Sequence, residues 1–291
     1  MMFDFNKTTR LGRGQQHLYL GGEQVSGLQS FDLNFSSTEQ PILHLGMGES
    51  NFTNNGPRIG QVRTSAFMLG HDFFINLTGE TGFNGYLVKD NQKIDDNFSF
   101  ESGYLSNYSQ RCSVGALPQI STSFTVFGRV GKLTQPDSDQ IDTDLDNVLN
   151  QTGPTHELKN VNAGSIDISF GEEFDQDRIT SYQFDVNVER KPHYVLGMEN
   201  PYRVTTTYPV KVDLALSVEL ARFQPKNNYD YPCSPNTGDF NLKLKDFYND
   251  QVIQEYNFKD MRLVSQSYSA SAGGPPVLEL QYSCMLRNPS I

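Results

Sequence analysis

From Val210 to Leu220 every even-numbered residue is apolar, and the odd-numbered ones are Lys, Asp, Ala, Ser and Glu. Successive strand side chains point to opposite faces, so this phase makes one greasy face and one wet face. A helix would spread the same residues around its whole circumference. The device recurs in Phe31-Asp32-Leu33-Asn34-Phe35, Ile166-Asp167-Ile168-Ser169-Phe170, Phe184-Asp185-Val186-Asn187-Val188 and Val277-Leu278-Glu279-Leu280-Gln281-Tyr282. Half-wet strands suit antiparallel sheets. The 20 Phe and 14 Tyr favour strands, and 24 Gly with 14 Pro supply turns. The expected fold is mainly β, a sandwich or barrel, with short helices only at Asp142 to Asn150 and at Lys259 to Leu263.

The sequence also repeats itself. Phe31-Asp32-Leu33-Asn34 returns as Phe184-Asp185-Val186-Asn187, an offset of 153 residues. Pro41-Ile42-Leu43-His44-Leu45-Gly46-Met47 returns as Pro192-His193-Tyr194-Val195-Leu196-Gly197-Met198 at 151, which implies a two-residue deletion between them. A second block, at 158, pairs Phe100 with Phe258, Leu105 with Leu263, Ser109 with Ser267, Ser113 with Ser271, Gly115 with Gly273 and Pro118 with Pro276. Two blocks in one order predict two copies of a β domain, 1–135 and 155–291, joined by a linker at 136–154. That linker carries Asp137, Asp139, Asp142, Asp144 and Asp146, then Gly153-Pro154. It reads as a solvated connector. A fused pair of self-associating domains replaces two subunits of a ring, so a hexamer becomes a trimer.

Charge and motifs exclude several classes. Lys and Arg total 23 against 34 Asp and Glu, a formal charge of −11. Gripping a nucleic-acid backbone or an anionic membrane takes clustered cations, which argues against both. No apolar run reaches the length of a membrane span, and the first residues lack a signal-type apolar stretch. Cys112, Cys233 and Cys284 show no close-spaced metal pattern and read as reduced structural thiols. The chain contains no G-x-S-x-G, H-E-x-x-H or phosphate-loop motif. The five histidines are scattered singly, and His71-Asp72, read as neighbours on a strand, point to opposite faces. Asp142-Thr143-Asp144-Leu145-Asp146 begins like a calcium loop, but Asn147 stands where Gly is needed and Gly153 where Glu is needed. No catalytic residue, metal site or cofactor is expected.

Val25-Ser26-Gly27-Leu28-Gln29-Ser30-Phe31, followed by a strand closing on Leu45-Gly46, resembles the opening of the bacteriophage tail tube domain. Ile253 to Phe258, Leu263 to Ala272, the turn Gly273-Gly274-Pro275-Pro276 and the strand Val277 to Cys284 resemble its end. The resemblance covers both copies as a pattern, without a single diagnostic motif. It implies β sandwiches with one short helix each, stacked hexameric or fused trimeric rings, and a channel for DNA ejection. It further implies a non-enzymatic virion protein assembled in the host cytoplasm. Its partners would be further copies of itself and other tail proteins: baseplate, terminator, tape measure and, in a contractile tail, sheath. DNA would pass without specific binding, helped by Asp, Glu, Asn and Gln on a lumen wall. Two polar loops are the expected ring-stacking contacts. One is 48–61, with Asn51, Phe52, Asn54, Asn55 and Arg58; the other is 224–238, with Asn227, Asn228, Tyr229 and Tyr231. A baseplate hub, tube initiator or distal tail protein of the same fold is the first alternative. A two-domain β-sandwich module binding glycan or protein is the second, and the absence of Trp weighs against glycan.

Overall fold

The computed structural model describes residues 17–36, 39–41, 53–55, 57, 59–70, 72–88, 98–132, 159, 161, 163–170, 179–198, 200–219, 237–272 and 274–287. The first half holds β1 (His17–Leu20), β2 (Glu23–Gln24), β3 (Leu28–Ser36), β4 (Glu39–Pro41), β5 (Thr53–Asn55), β6 (Ile59–Phe67), β7 (Phe83–Val88), β8 (Phe98–Ser113), β9 (Gln119–Val126) and β10 (Val130–Lys132). The second holds β11 (Ile166–Phe170), β12 (Ile179–Asn187), β13 (Arg190–His193), β14 (Arg203–Thr206), β15 (Val210–Glu219), β16 (Thr237–Lys245), β17 (Val252–Ser269) and β18 (Val277–Leu286). The protein is mainly β and antiparallel throughout, as the alternation requires.

Six strands of each half follow the same order, while β2 on β1 and β10 on β8 belong to the first half alone among the described strands. The shared order is β1-β7-β8-β9-β6-β3 in the first and β11-β16-β17-β18-β15-β12 in the second. The small β4–β5 hairpin follows β3 as the β13–β14 hairpin follows β12. Irregularities match as well. The β8–β9 ladder steps over a residue between Leu105 and Asn107, and β17–β18 does so between Leu263 and Ser265. Ser102 and Asp260 both adopt a left-handed backbone, at φ 56° and 55°. Such bulges bend a strand and let it serve two layers. Below the bend β8 pairs with β7 and β17 with β16; above it they pair with β9 and β18.

Register corrects one correspondence. Leu33, Val62, Phe124 and Leu105 lie across one another in the first half, as Phe184, Leu214, Tyr282 and Leu263 do in the second. In ladder position Phe184 therefore matches Leu33, 151 residues earlier, rather than Phe31. A period-two pattern matches itself when slid by two residues, which is how the motif misled. The expected helix at Lys259 to Leu263 is also overturned, since it lies inside β17. The bulge at Asp260 breaks the alternation there and puts buried Phe258 and Met261 three residues apart, imitating a helical period. The helices actually described are two 3-10 turns, Phe74–Thr78 and Ala163–Ser165. The acidic linker and the candidate helix at Asp142 to Asn150 lie outside the described residues.

One hydrophobic cluster spans both halves. Phe124 packs against Phe83 and Phe74 at 5.1 and 6.3 Å, and Phe184 against Tyr256, Phe258 and Tyr108 at 5.1, 5.2 and 5.7 Å. Volumes are traded between equivalent places. Gly85 faces Phe100, and a Cβ at Gly85 would come within 2.2 Å of that ring; in the second half Phe240 stacks on Phe258 instead. The halves are tied by a continuous antiparallel ladder of β12 on the upper part of β8, from Ser181–Ser113 to Asn187–Asn107.

A buried carboxylate pins the layers. Asp72 is 1% exposed, and its Oδ2 accepts hydrogen bonds from the hydroxyls of Tyr108 at 2.6 Å and Tyr256 at 2.7 Å. Its Oδ1 accepts the backbone N–H of Phe74 at 3.0 Å. Asp72 lies just before the 3-10 turn rather than on a strand, which corrects the reading of His71-Asp72 as strand neighbours; His71 itself lies outside the described residues. Burial, then the Asp72 charge, hold both phenols well above their usual 10. The native state thus keeps protons that the unfolded chain loses above about pH 10. Their stabilisation is complete below that pH and lost as pH rises through the folded values. Tyr256→Phe should cost about 1–3 kcal/mol in urea denaturation at pH 7. In alkaline titration at 295 nm, the phenolate signal of Tyr108 and Tyr256 should appear only together with unfolding.

Candidate functional site: two open sheet edges and a polar face

The β12–β8 ladder fuses four strands from each half into a continuous series, β3-β6-β9-β8-β12-β15-β18-β17. It ends in two edges. Among the described strands β3 ladders only with β6, and β17 from Leu263 onward only with β18. An edge carries unpaired backbone groups and is a template for another strand. The side chains there add to it: Phe35 on β3 is 42% exposed and Tyr268 on β17 is 48% exposed.

These edges are the positional equivalents of the strands already joined inside the chain. β3 holds the place of β12, and the upper part of β17 holds the place of the upper part of β8. Carrying the β12–β8 register across puts Ser30 opposite Ser271, Asp32 opposite Ser269, Asn34 opposite Ser267 and Ser36 opposite Ser265. Inward residues of β3 would then cover the inward side of β17, with Phe35 beside Gln266. The Gln266 side-chain oxygen is buried and has no hydrogen-bond partner among the described residues.

The wet face of the series is its second feature. Neighbouring rows are built from hydroxyls and amides: Ser30, Ser65, Ser121, Ser109; Gln183, Ala215, Gln281, Ser265; Ser181, Ser217, Glu279, Ser267. They bind one another rather than reaching outward. Arg111 donates to Gln119 at 2.8 Å, Gln119 to Ser65 at 2.8 Å, Ser265 to Gln281 at 2.8 Å, and Asn107 to Asn187. Acidic Asp32, Asp185, Asp213, Glu219 and Glu279 are nearly balanced by Arg63, Arg111, Lys211 and Arg262. This face is therefore nearly neutral in formal charge. Part of it is concave, enclosing about 530 Å³ between Arg111, Gln119, Gln183, Ser217 and Gln281.

Of the loop residues expected to stack rings, Asn54 and Asn55 lie in β5, paired with Gln40 and Glu39 of β4. Asn51, Phe52, Arg58, Asn227, Asn228, Tyr229 and Tyr231 lie outside the described residues, as do Asp137, Asp139, Asp142, Asp144 and Asp146. Sequence reasoning named Asp72 only in setting aside the His71-Asp72 pair, and it missed Tyr108 and Tyr256. The one available signal was two tyrosines in the buried phase of their strands, where a hydroxyl needs an acceptor. It also missed Arg190, whose guanidinium donates to the carbonyls of Leu105 and Gly79 at 2.8 and 2.9 Å and lies over Tyr104. That arginine fixes the β13–β14 hairpin to the first half.

The two described histidines have side-chain partners on neighbouring strands. His17 bonds Gln24 and His193 bonds Thr205, both at 2.9 Å. Among the described residues no group of three or more His, Cys, Asp or Glu could hold a metal, and no helix is long and apolar enough to cross a membrane. Cys112 and Cys284 are free and buried. Burial raises both thiols, and burial with Asp213 and Asp260 pushes Cys284 up to about 11. A thiol is a poor nucleophile until ionised. Iodoacetamide at pH 8 should therefore leave Cys112 and Cys284 unmodified in the native protein and alkylate both in urea, read by peptide mass mapping. No protein-family model matches this chain, and no curated protein matches it.

Proposed function

We propose that this protein is a structural subunit of a bacteriophage tail tube. In this reading the chain is a tandem duplication of one tube-type β domain, and copies join edge to edge into closed rings that stack around a DNA channel. The observation that carries it is the pair of open edges. The chain makes one β12–β8 joint internally and presents the two halves of an equivalent joint, β3 and the upper part of β17, at its extremities. Such a contact is head-to-tail, so it generates a ring when the rotation closes. Closure removes both edges, which a soluble protein otherwise has to protect.

The shared strand order, the matched bulges and the traded core volumes support the duplication. Fused copies make each chain count twice in the ring, so three chains give pseudo-sixfold symmetry, as the tail tube resemblance implies. In that ring the wet face of the eight-strand series is the channel wall. A wall of serine, threonine, asparagine and glutamine with nearly balanced charge offers DNA no array of cations to condense on. Self-bonded hydroxyls and amides likewise leave few groups poised for phosphates. The chain performs no catalysis in this role, binds no cofactor, and works in the virion tail after assembly in the host cytoplasm.

The joint has a defined register and can be trapped. In a Cys233→Ser background, Asn34→Cys with Ser267→Cys should form disulfides between copies, because directly opposed residues of an antiparallel pair lie about 4.5–5.5 Å apart. Non-reducing electrophoresis should then show a covalent ladder ending at the closed ring. Asn34→Cys with Ser271→Cys, displaced by about 13 Å along the strand, should not cross-link. Equal cross-linking by both pairs, or by neither, would remove the edge-joined ring.

A further inference from the structure

Arg190 is the charged element of the joint that the chain makes with itself. It stands at the base of the β13–β14 hairpin, in the second half, and its guanidinium crosses to the first. There it donates to the carbonyls of Leu105 and Gly79 and lies 5.8 Å from the centre of the Tyr104 ring. These partners are electron-rich, as a cation requires. Just before it the Val188 N–H donates to the Ser106 carbonyl at 2.9 Å, which carries the β12–β8 contact past the end of its ladder.

The equivalent places at the two open edges carry a different arrangement of charge. The β4–β5 and β13–β14 hairpins share one register. Glu39 lies opposite Asn55 as Arg190 lies opposite Thr206, and Pro41 lies opposite Thr53 as Pro192 lies opposite Val204. Glu39 therefore holds the place of Arg190. On the receiving strand Tyr104 lies opposite Thr125, one residue before Leu105, and Arg262 lies opposite Ser283, one residue before Leu263. Arg262 therefore holds the place of Tyr104. It is exposed and has no hydrogen-bond or ion-pair partner among the described residues.

The strand rows leave the choice of partner open. From Ser265 through Ser267 and Ser269 to Ser271 the wet row of β17 and its continuation is serine throughout. A hydroxyl both donates and accepts, so this row takes the polar residues of β3 or of β12 alike. The hairpin base does discriminate. A β12–β13 edge laid on β17 would bring Arg190 to the place beside Arg262, cation against cation. A β3–β4 edge brings Glu39 there, carboxylate against cation. Like charges across an interface are costly, and opposite charges fix partner and register.

We infer that Glu39 of one copy is the charge partner of Arg262 of the next, so that the open β17 edge selects the first half of a neighbouring copy and rejects a second half. This rests on the edge-joined ring proposed above and adds what decides its partner.

Charge reversal tests it in the Cys233→Ser, Asn34→Cys, Ser267→Cys chain, whose cross-link reports the same joint. Glu39→Arg puts two cations at the joint, and Arg262→Glu puts two carboxylates there. Either variant alone should cross-link between copies at least about tenfold more slowly than the parent. An equimolar mixture of the two should cross-link at close to the parental rate, because each offers the other an opposite charge. Its covalent dimers should contain one copy of each variant, read by intact mass. Both reversals in one chain should restore the rate as well. Rescue by mixing separates a charge effect from misfolding, which mixing does not repair. Single variants as fast as the parent, a mixture no faster than the singles, or a double variant no faster than the singles would each overturn the inference. In all three the ring reading would stand. A parent that does not cross-link would overturn both.

Discussion

The ladder between β12 and the upper part of β8 is the interaction on which the architecture depends. It converts two small β layers into one continuous sheet and sets the phase of every strand beyond it. A slip of one residue would invert the faces of a whole strand, sending Phe184 and Val186 to water and Gln183 and Asp185 into the core. The shared cluster of Phe184, Tyr108, Tyr256 and Phe258 resists that slip. Each half thus takes part of its core from the other.

Two local devices make the ladder possible. Left-handed Ser102 and Asp260 bend the long strands so that their lower parts cover the sheet built by their upper parts. Asp72 then locks the layers by offering one oxygen to hydroxyls from both halves, on β8 and on β17. An unpaired buried carboxylate would be costly, whereas this one accepts from Tyr108, Tyr256 and the Phe74 N–H. The same covering leaves β3 and the far part of β17 without a described partner strand on their outer sides. The edges follow from how the core is closed.

The strands themselves were legible because alternation is a direct record of which side is wet. The alternation read at Val210 to Leu220 and at Val277 to Tyr282 falls on strands Val210–Glu219 and Val277–Leu286. The pattern failed where a bulge interrupts it. At Lys259 to Leu263 the skipped residue imitated a helical period, and at Phe31 and Phe184 the period-two repeat hid a shift of two. Of the candidate site, the polar rows could be read from sequence. Their near neutrality could not, because the excess acidity of the chain is not distributed evenly and only pairing shows which charges share a face. Asp72 carried no pattern at all, since its partners are 36 and 184 residues away.

The sequence alone determined the antiparallel β character, the wet and dry faces of the strands and the repetition of one pattern across the chain. These are local properties, fixed by side-chain chemistry at a spacing of two. Tertiary structure decided which strands meet, where the sheet ends and which apolar residues stay uncovered. Those outcomes depend on long-range pairing and on the bulges that redirect a strand. Leu196 is as apolar as Leu214, yet one caps a hairpin in water and the other is buried in the core.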